Sequence, residues 1–314
     1  MGIDKFYRRG AFPALSVGGI EFFGGVYPIA GKTYFVSLTG NNSNGLNWKN
    51  AFTTLAAAFA ASNAYIAKSG NERFRNRIYV GGMSDAWDGF AEDITTLPAQ
   101  TDVIGCGNGY SGLISIKGTH SIAVATKNTR IFNFTFLTNT ASTPCFRVCD
   151  DSHGIEFHNC IFDGSLKATP TIGLQIGSIA NFKVINCKFV GNPLCVTGIQ
   201  MDGPVSTKGD IIGNHINAKT AGIIICHPST TCYQMLIKDN VICKNDPVAE
   251  DQMAYGIKLM DTNNQWYIQI IHNWISAADA IYFASGYSTN RAQWMCVDNH
   301  VVEGEIGAIE DVGS

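Results

Sequence analysis

The chain has 314 residues, of which 46% are hydrophobic and 15% charged, with a formal net charge of −3 and 10 cysteines. So slight a negative balance argues against nucleic acid or an anionic membrane as partner, and no apolar run reaches the roughly 18 residues of a spanning helix, so membrane insertion is not expected. The length would hold two ordinary domains, but a solenoid grows by adding units and needs only one.

Residues 1–32 carry six aromatics, Phe6, Tyr7, Phe12, Phe22, Phe23 and Tyr27, and no repeat. Lys5, Arg8 and Arg9 precede an apolar stretch that Pro13 and Ser16 interrupt, which does not make a signal peptide. An apolar segment too weakly patterned to form its own core is expected to dock on another protein, so 1–32 reads as an anchoring arm. Residues 33–100 read as a cap, with a strand over 33–37, a polar loop over 40–45 and a helix over about 48–68. Phe52, Leu55, Phe59 and Ala60 share one side of that helix, and Gly70 ends it. An amphipathic helix at this point would cover the open apolar edge of a solenoid's first coil.

From 101 to 314 the chain repeats. Phe136, Phe162, Phe189, Ile216, Ile242, Ile275 and Val301 follow one another at 26, 27, 27, 26, 33 and 26 residues. Five residues before each stands an apolar side chain (Ile131, Phe157, Val184, Ile211, Ile237, Ile270, Cys296). Three residues before each stands Asn133, Asn159, Asn186, Gly213, Asp239, His272 or Asp298. Alternating apolar residues on both sides of a type that tolerates the left-handed conformation predict strand, bend, strand. The spacing of two and the β-branched and aromatic side chains exclude helical repeats, and a period of this size predicts stacked coils.

Two residues before the column runs a second series, Phe134, Cys160, Cys187, Asn214, Asn240, Asn273 and Asn299. Four asparagines one rung apart, about 4.8 Å, can pass amide hydrogen bonds along the axis, and they resemble the asparagine ladder of right-handed parallel β-helices. A further face is marked by Gly173, Gly198, Gly222, Gly256, Ala280 and Ala308, each followed by Leu or Ile. Insertions collect between the faces at 163–172 and 244–255, where loops on a rigid scaffold carry binding. Glu303, Glu305, Glu310 and Asp311 crowd the last rung, where charge blocks further strand pairing. The expected fold is all-β, a right-handed single-stranded parallel β-helix with an N-terminal capping helix.

The segments 34–62 (YFVSLTGNNSNGLNWKNAFTTLAAAFAAS) and 77–107 (RIYVGGMSDAWDGFAEDITTLPAQTDVIGCG) resemble the caps and first coils of parallel β-helix proteins of bacteriophage particles, bacterial surfaces and polysaccharide lyases. With the repeats, the resemblance spans about nine-tenths of the chain. It implies architecture more than activity, since this fold hosts adhesins, lyases, hydrolases and structural parts.

Catalytic signatures are missing from the sequence. Gly105, Gly107, Gly109 and Gly112 do not keep dinucleotide-binding spacing. Cys145, Cys149, His153, His158 and Cys160 fit no zinc pattern, and Cys160 and Cys187 fall inside the coil, so reduced cysteines and no metal or cofactor are expected. The run Asp150 to Gly154 resembles two polygalacturonase motifs, yet their partners have no counterpart and a polar turn accounts for it. A weak catalytic set is Asp202, His227 and Asp261, leaving one face on successive rungs with carboxylates about two rungs, roughly 10 Å, apart. Turn residues at strand ends account for these as well. Tyr233 and Trp266 occupy equivalent positions and could stack on sugar rings or lie in a subunit interface.

The resemblance and the missing motifs together imply a virion protein, assembled in the host cytoplasm. It would be a homotrimeric head or tail spike or decoration, held to other virion proteins by the arm and contacting host surface polysaccharide. A tailspike-like depolymerase or an adhesin is the alternative; an enzymatic activity, if present, would be a polysaccharide hydrolase or lyase.

Overall fold

The computed structural model describes residues 15–17, 20–22, 30–68, 71, 73–81, 89–107, 113–138, 143–164, 171–191, 195–202, 205–225, 231–244, 253–260, 265–283 and 295–306. A short antiparallel hairpin, Leu15–Val17 with Ile20–Phe22, precedes the coils. The remaining strands form a parallel β-solenoid with three faces.

Face 1 is a 10-stranded sheet that starts at Ala30–Ser37 and ends at Met295–Val297. Face 2 runs from Phe90–Ala91 to His300–Ile306, and face 3 from Phe146–Val148 to Tyr255–Leu259. The long strand Trp274–Phe283 passes from face 2 into face 3 and joins them into one 14-stranded sheet.

The bend between faces 1 and 2 follows from one backbone requirement. Asn133, Asn159, Asn186, Gly213, Asp239, His272 and Asp298 all have φ between 51° and 67°, the left-handed region where Gly, Asn and Asp cost least. Each turns the chain so that the apolar residues on either side both point inward. The column Phe136, Phe162, Phe189, Ile216, Ile242, Ile275, Val301 pairs in unbroken register on face 2. It extends two rungs further than the repeat shows, through Ile116 and Phe90. Within it the Phe162 and Phe189 rings stack at 4.8 Å and 12°, a favourable offset aromatic pair.

Inside the bend, Asn240 Nδ2 donates to Asn273 Oδ1 at 2.9 Å and to the Ile211 carbonyl at 2.9 Å. Its own Oδ1 accepts from the Nδ2 and backbone N of Asn214, both at 2.9 Å. Asn214 and Asn273 repeat the pattern, and Asn299 takes the terminal bond at 2.9 Å. Every amide in this buried run therefore has its partners, which is what burial of polar groups demands.

The cap departs from the sequence expectation. A 3₁₀ turn, Trp48–Asn50, is capped by Asn47, the chain extends at Ala51, and a separate helix, Leu55–Ile66, begins at Thr54. The polar cap residues Asn47 and Thr54 each bond a backbone N–H three residues on, so two short helices replace one long one. Ala60 lies on the exposed side, and Ala58 and Ser62 are buried beside Leu55 and Phe59 instead. The helix docks through Glu92, whose carboxylate accepts from Leu55 N at 2.8 Å and Ala56 N at 2.6 Å.

Cys160 and Cys187 are free and buried. Burial, with Cys160 beside it, pushes the Cys187 thiol well above its ordinary range, and burial pushes Cys296 up to about 11, so neither is a ready nucleophile. The expectation of a fully reduced chain is corrected by Cys232, which is disulfide-bonded. Cys226 lies outside the described residues.

The outside of face 1 carries two rows. The first is Arg77, Asp102, Arg130, Glu156, Lys183 and Asp210, paired rung to rung with alternating sign. Asp102 takes Arg130 through two 2.7 Å bonds and Arg75 through a third. The second row is Phe35, Tyr79, Ile104, Phe132, His158, Ile185, Ile212, Lys238, Ile271 and Val297.

Candidate functional site

The outside of face 3 gathers the polar and aromatic side chains that could engage a ligand. In register along it stand Arg147, Gln175, Gln200, Ile224, Lys258 and Tyr282. They point outward because their neighbours on each strand, such as Leu174, Ile199, Ile223 and Ile257, are fully buried and strand side chains alternate. Asp202 leaves the end of its strand beside them. Its Oδ2 accepts from Gln175 Nε2 and its Oδ1 from Gln200 Nε2, the latter at 2.6 Å.

Further along the same face, Lys258 Nζ sits 3.9 Å from the Tyr255 ring centroid and 5.4 Å from that of Tyr282. The two rings are 4.9 Å apart. A cation held over two aromatic faces is fixed in place. The surface thus offers amide donors, a carboxylate acceptor and aromatic rings along one straight line.

Of the weak catalytic set only Asp202 is described; His227 and Asp261 lie outside the described residues. The register nevertheless bears on them. Gln200 pairs with Ile224, and Ile225 with Leu259. Asp202 thus stands two places after Gln200, whereas His227 and Asp261 stand three after the equivalent Ile224 and Lys258. Asp202 is therefore one residue out of step along the chain with the other two. Both Asp202 oxygens act as acceptors, so a proton-donating role would first break one of these bonds. Among the described residues no group of three or more His, Cys, Asp or Glu side chains is arranged to hold a metal ion.

Tyr233 and Trp266 are register partners on face 1, with Tyr233 half-buried and the Trp266 side chain outside the described residues. Next to them lies a hollow of about 310 Å³ lined by Gln234, Met235, Leu236, Tyr267 and Gln269. Gln234 and Tyr267 belong to a second left-handed column with Gln100, Asn128, Gly154, Asn181 and Lys208. The irregular residue types of that column hid it from the sequence reading. Gln175, Gln200, Tyr255, Lys258 and Tyr282 were missed too; their signal is an outward residue between two buried ones, which looks like any solvated strand position.

Buried elsewhere is His120, wholly inaccessible, edge-on to Phe136 at 5.5 Å and stacked on Phe146 at 6.0 Å. Its Nε2 lies 3.2 Å from the Ile116 carbonyl, and its Nδ1 has no partner. Burial lowers its pKa to about 4.

No protein-family model matches the chain, and no curated protein does. Among solved structures it is similar to Geobacillus virus E2 ORF18, at 11% identity and a TM-score of 0.49 over 86% of this chain. It is also similar to a rhamnogalacturonan lyase, at 12% identity and a TM-score of 0.34, covering 89% of this chain and 90% of that one. The chain spans 60% of the length of the viral protein. At such identities the likeness concerns the fold. No helix among the described residues is long and apolar enough to cross a membrane.

Proposed function

We propose that this parallel β-helix is a structural protein of a bacteriophage particle, a head or tail spike or decoration, and not a polysaccharide-cleaving enzyme. It is assembled as a homotrimer, held to other virion proteins by residues 1–32, and meets host surface polysaccharide along face 3. The sequence resemblance of its cap to those of phage particle proteins supports the setting. The observation that carries the rest is how the described carboxylates of the candidate surface are held: Gln175 and Gln200 occupy both oxygens of Asp202, Asp150 accepts from Ser178 N at 2.6 Å, and Asp279 stands in register with Tyr255, three rungs from Asp202. Glycosidic hydrolysis requires a second carboxyl group roughly 5 to 9.5 Å away, whereas recognition of hydroxyls requires only donors, acceptors and rings.

The alternative, a tailspike-like depolymerase, draws on the sequence positions of Asp202, His227 and Asp261, each following a repeat of the same strand along the chain. Incubating the purified protein with host surface polysaccharide and measuring chain length decides between them. The expected outcome is binding without shortening, with Tyr282→Ala weakening binding roughly tenfold. Shortening by the wild type that Asp202→Asn abolishes would replace this reading with the enzyme. Proteomic analysis of purified particles tests the virion setting separately.

A further inference from the structure

We infer that the outside of face 1 is covered by further copies of this chain, packed side by side with parallel axes. This deepens the assembly part of the preceding reading, but its test uses the isolated protein, so its failure would leave the particle role standing.

The faces differ in what they show to the outside. Face 3 presents the Gln, Arg and Lys positions already described, and the outward row of face 2 mixes Ile161, Val241 and Trp274 with Lys188, His215 and His300. On face 1 eight of ten positions in the second row are apolar or aromatic. Isolated exposed apolar residues are ordinary, but a continuous ridge marks an interaction surface. At its first rung the ridge widens into Leu38, Leu46 and Trp48, which are 42, 47 and 46% exposed, and at its last into Met295 and Val297, at 40 and 38%.

Three properties select a second copy as occupant. The ridge is straight and keeps the rung spacing over nine intervals, about 43 Å in all. A copy related by an axis along the solenoid meets it rung for rung, apolar against apolar. With the neighbouring row the strip covers on the order of 500 Å² on each copy, which reaches the roughly 1,000 Å² total of a specific contact. Charge also permits it. The flanking row has three cations and three anions already paired along its own length, and the two polar members of the ridge are each matched locally. His158 meets Glu156 at 2.8 Å and Lys238 meets Asp239 at 3.5 Å. Like residues brought together around an axis therefore meet with most of their charge balanced within each copy. A polysaccharide is a poor occupant, because the ridge offers it few hydrogen bonds.

The test is the molar mass in solution of the full chain, by light scattering and sedimentation, against the triple variant Phe132→Glu, Ile212→Glu, Ile271→Glu. These side chains point outward, so the coil should survive, which circular dichroism checks. The wild type should be oligomeric at micromolar concentration, the triple variant monomeric with a dissociation constant raised at least about 100-fold, and Lys188→Glu on face 2 unchanged. Should the triple variant not fold, Ile212→Cys in a Cys106→Ser background with a short bifunctional maleimide replaces it, since Cys106 is an exposed free thiol, and covalent multimers absent from Cys106→Ser alone are expected. A monomeric wild type, an oligomer that survives the triple substitution, or an Ile212→Cys variant that does not cross-link would each overturn the assignment.

Discussion

His120 shows what a single side chain costs when the core has no place for its charge. Its folded pKa of about 4 lies below the ordinary 6.5 because burial among Phe136 and Phe146 disfavours the imidazolium. Above pH 6.5 the ring is neutral in both states and costs nothing electrostatic. Below 6.5 the unfolded chain takes up a proton that the folded chain refuses, so stability falls as pH drops toward 4, by on the order of 3 kcal/mol. His120→Phe should flatten that part of the pH profile, measured as melting temperature from pH 7 to 4. Asn240 is the opposite case, a polar residue fully answered inside the coil. Asn240→Ala removes the acceptor for Asn214 and the donor to Ile211, leaving buried groups bare, and should cost on the order of 3 to 5 kcal/mol. Asn299→Ala, at the partly exposed end of the ladder, should cost less than half of that; comparison of unfolding midpoints in urea checks both.

At the scale of the element, the capping helix is tied to the coil by one carboxylate. Glu92 supplies acceptors to the first two helical N–H groups, which the helix cannot satisfy itself, and its negative charge sits at the positive end of the helix dipole. Glu92→Ala should lower stability by about 1 to 2 kcal/mol and loosen the helix ahead of the coil, seen as faster amide hydrogen exchange over 55–66. The strands of face 3 obey a different constraint. A Cβ on Gly173 would meet the Phe189 ring at 2.6 Å and the Gly198 carbonyl at 2.7 Å. The glycine series is thus the imprint of the face 2 column pressing against face 3. It is visible in the chain as a repeat, but its cause appears only when the two faces are brought together.

For the whole molecule, face 1 starts at Ala30, and the helix Leu55–Ile66 covers the first rungs. Ordering a segment costs about 1 to 2 kcal/mol per residue in backbone entropy, so the aromatics of 1–28 need a surface to dock on. Deleting residues 2–28 should leave a soluble β-helix with a melting temperature within a few degrees of the wild type. Under the proposed attachment it should no longer enter particles, which quantification in purified virions checks. Normal incorporation would move the attachment to the sides of the coil.

What the sequence determined by itself is whatever repeats. The column from Phe136 to Val301, the left-handed corner from Asn133 to Asp298 and the inward glycine face were legible because stacking makes each rung impose the same demand at the same place. The break at Ala51 within the cap, the start of the column at Phe90, the second left-handed column and the Cys232 disulfide were not, since each occurs where the repeat is interrupted or where dissimilar residues share a conformation. The candidate site was legible only at Asp202. Gln175, Gln200, Lys258 and Tyr282 follow one another at 25, 58 and 24 residues along the chain, and only the register of parallel strands sets them in a line. The ridge on face 1 was hidden for the same reason: outward positions carry no periodic signal of their own, and the tertiary structure alone decides which of them stand side by side.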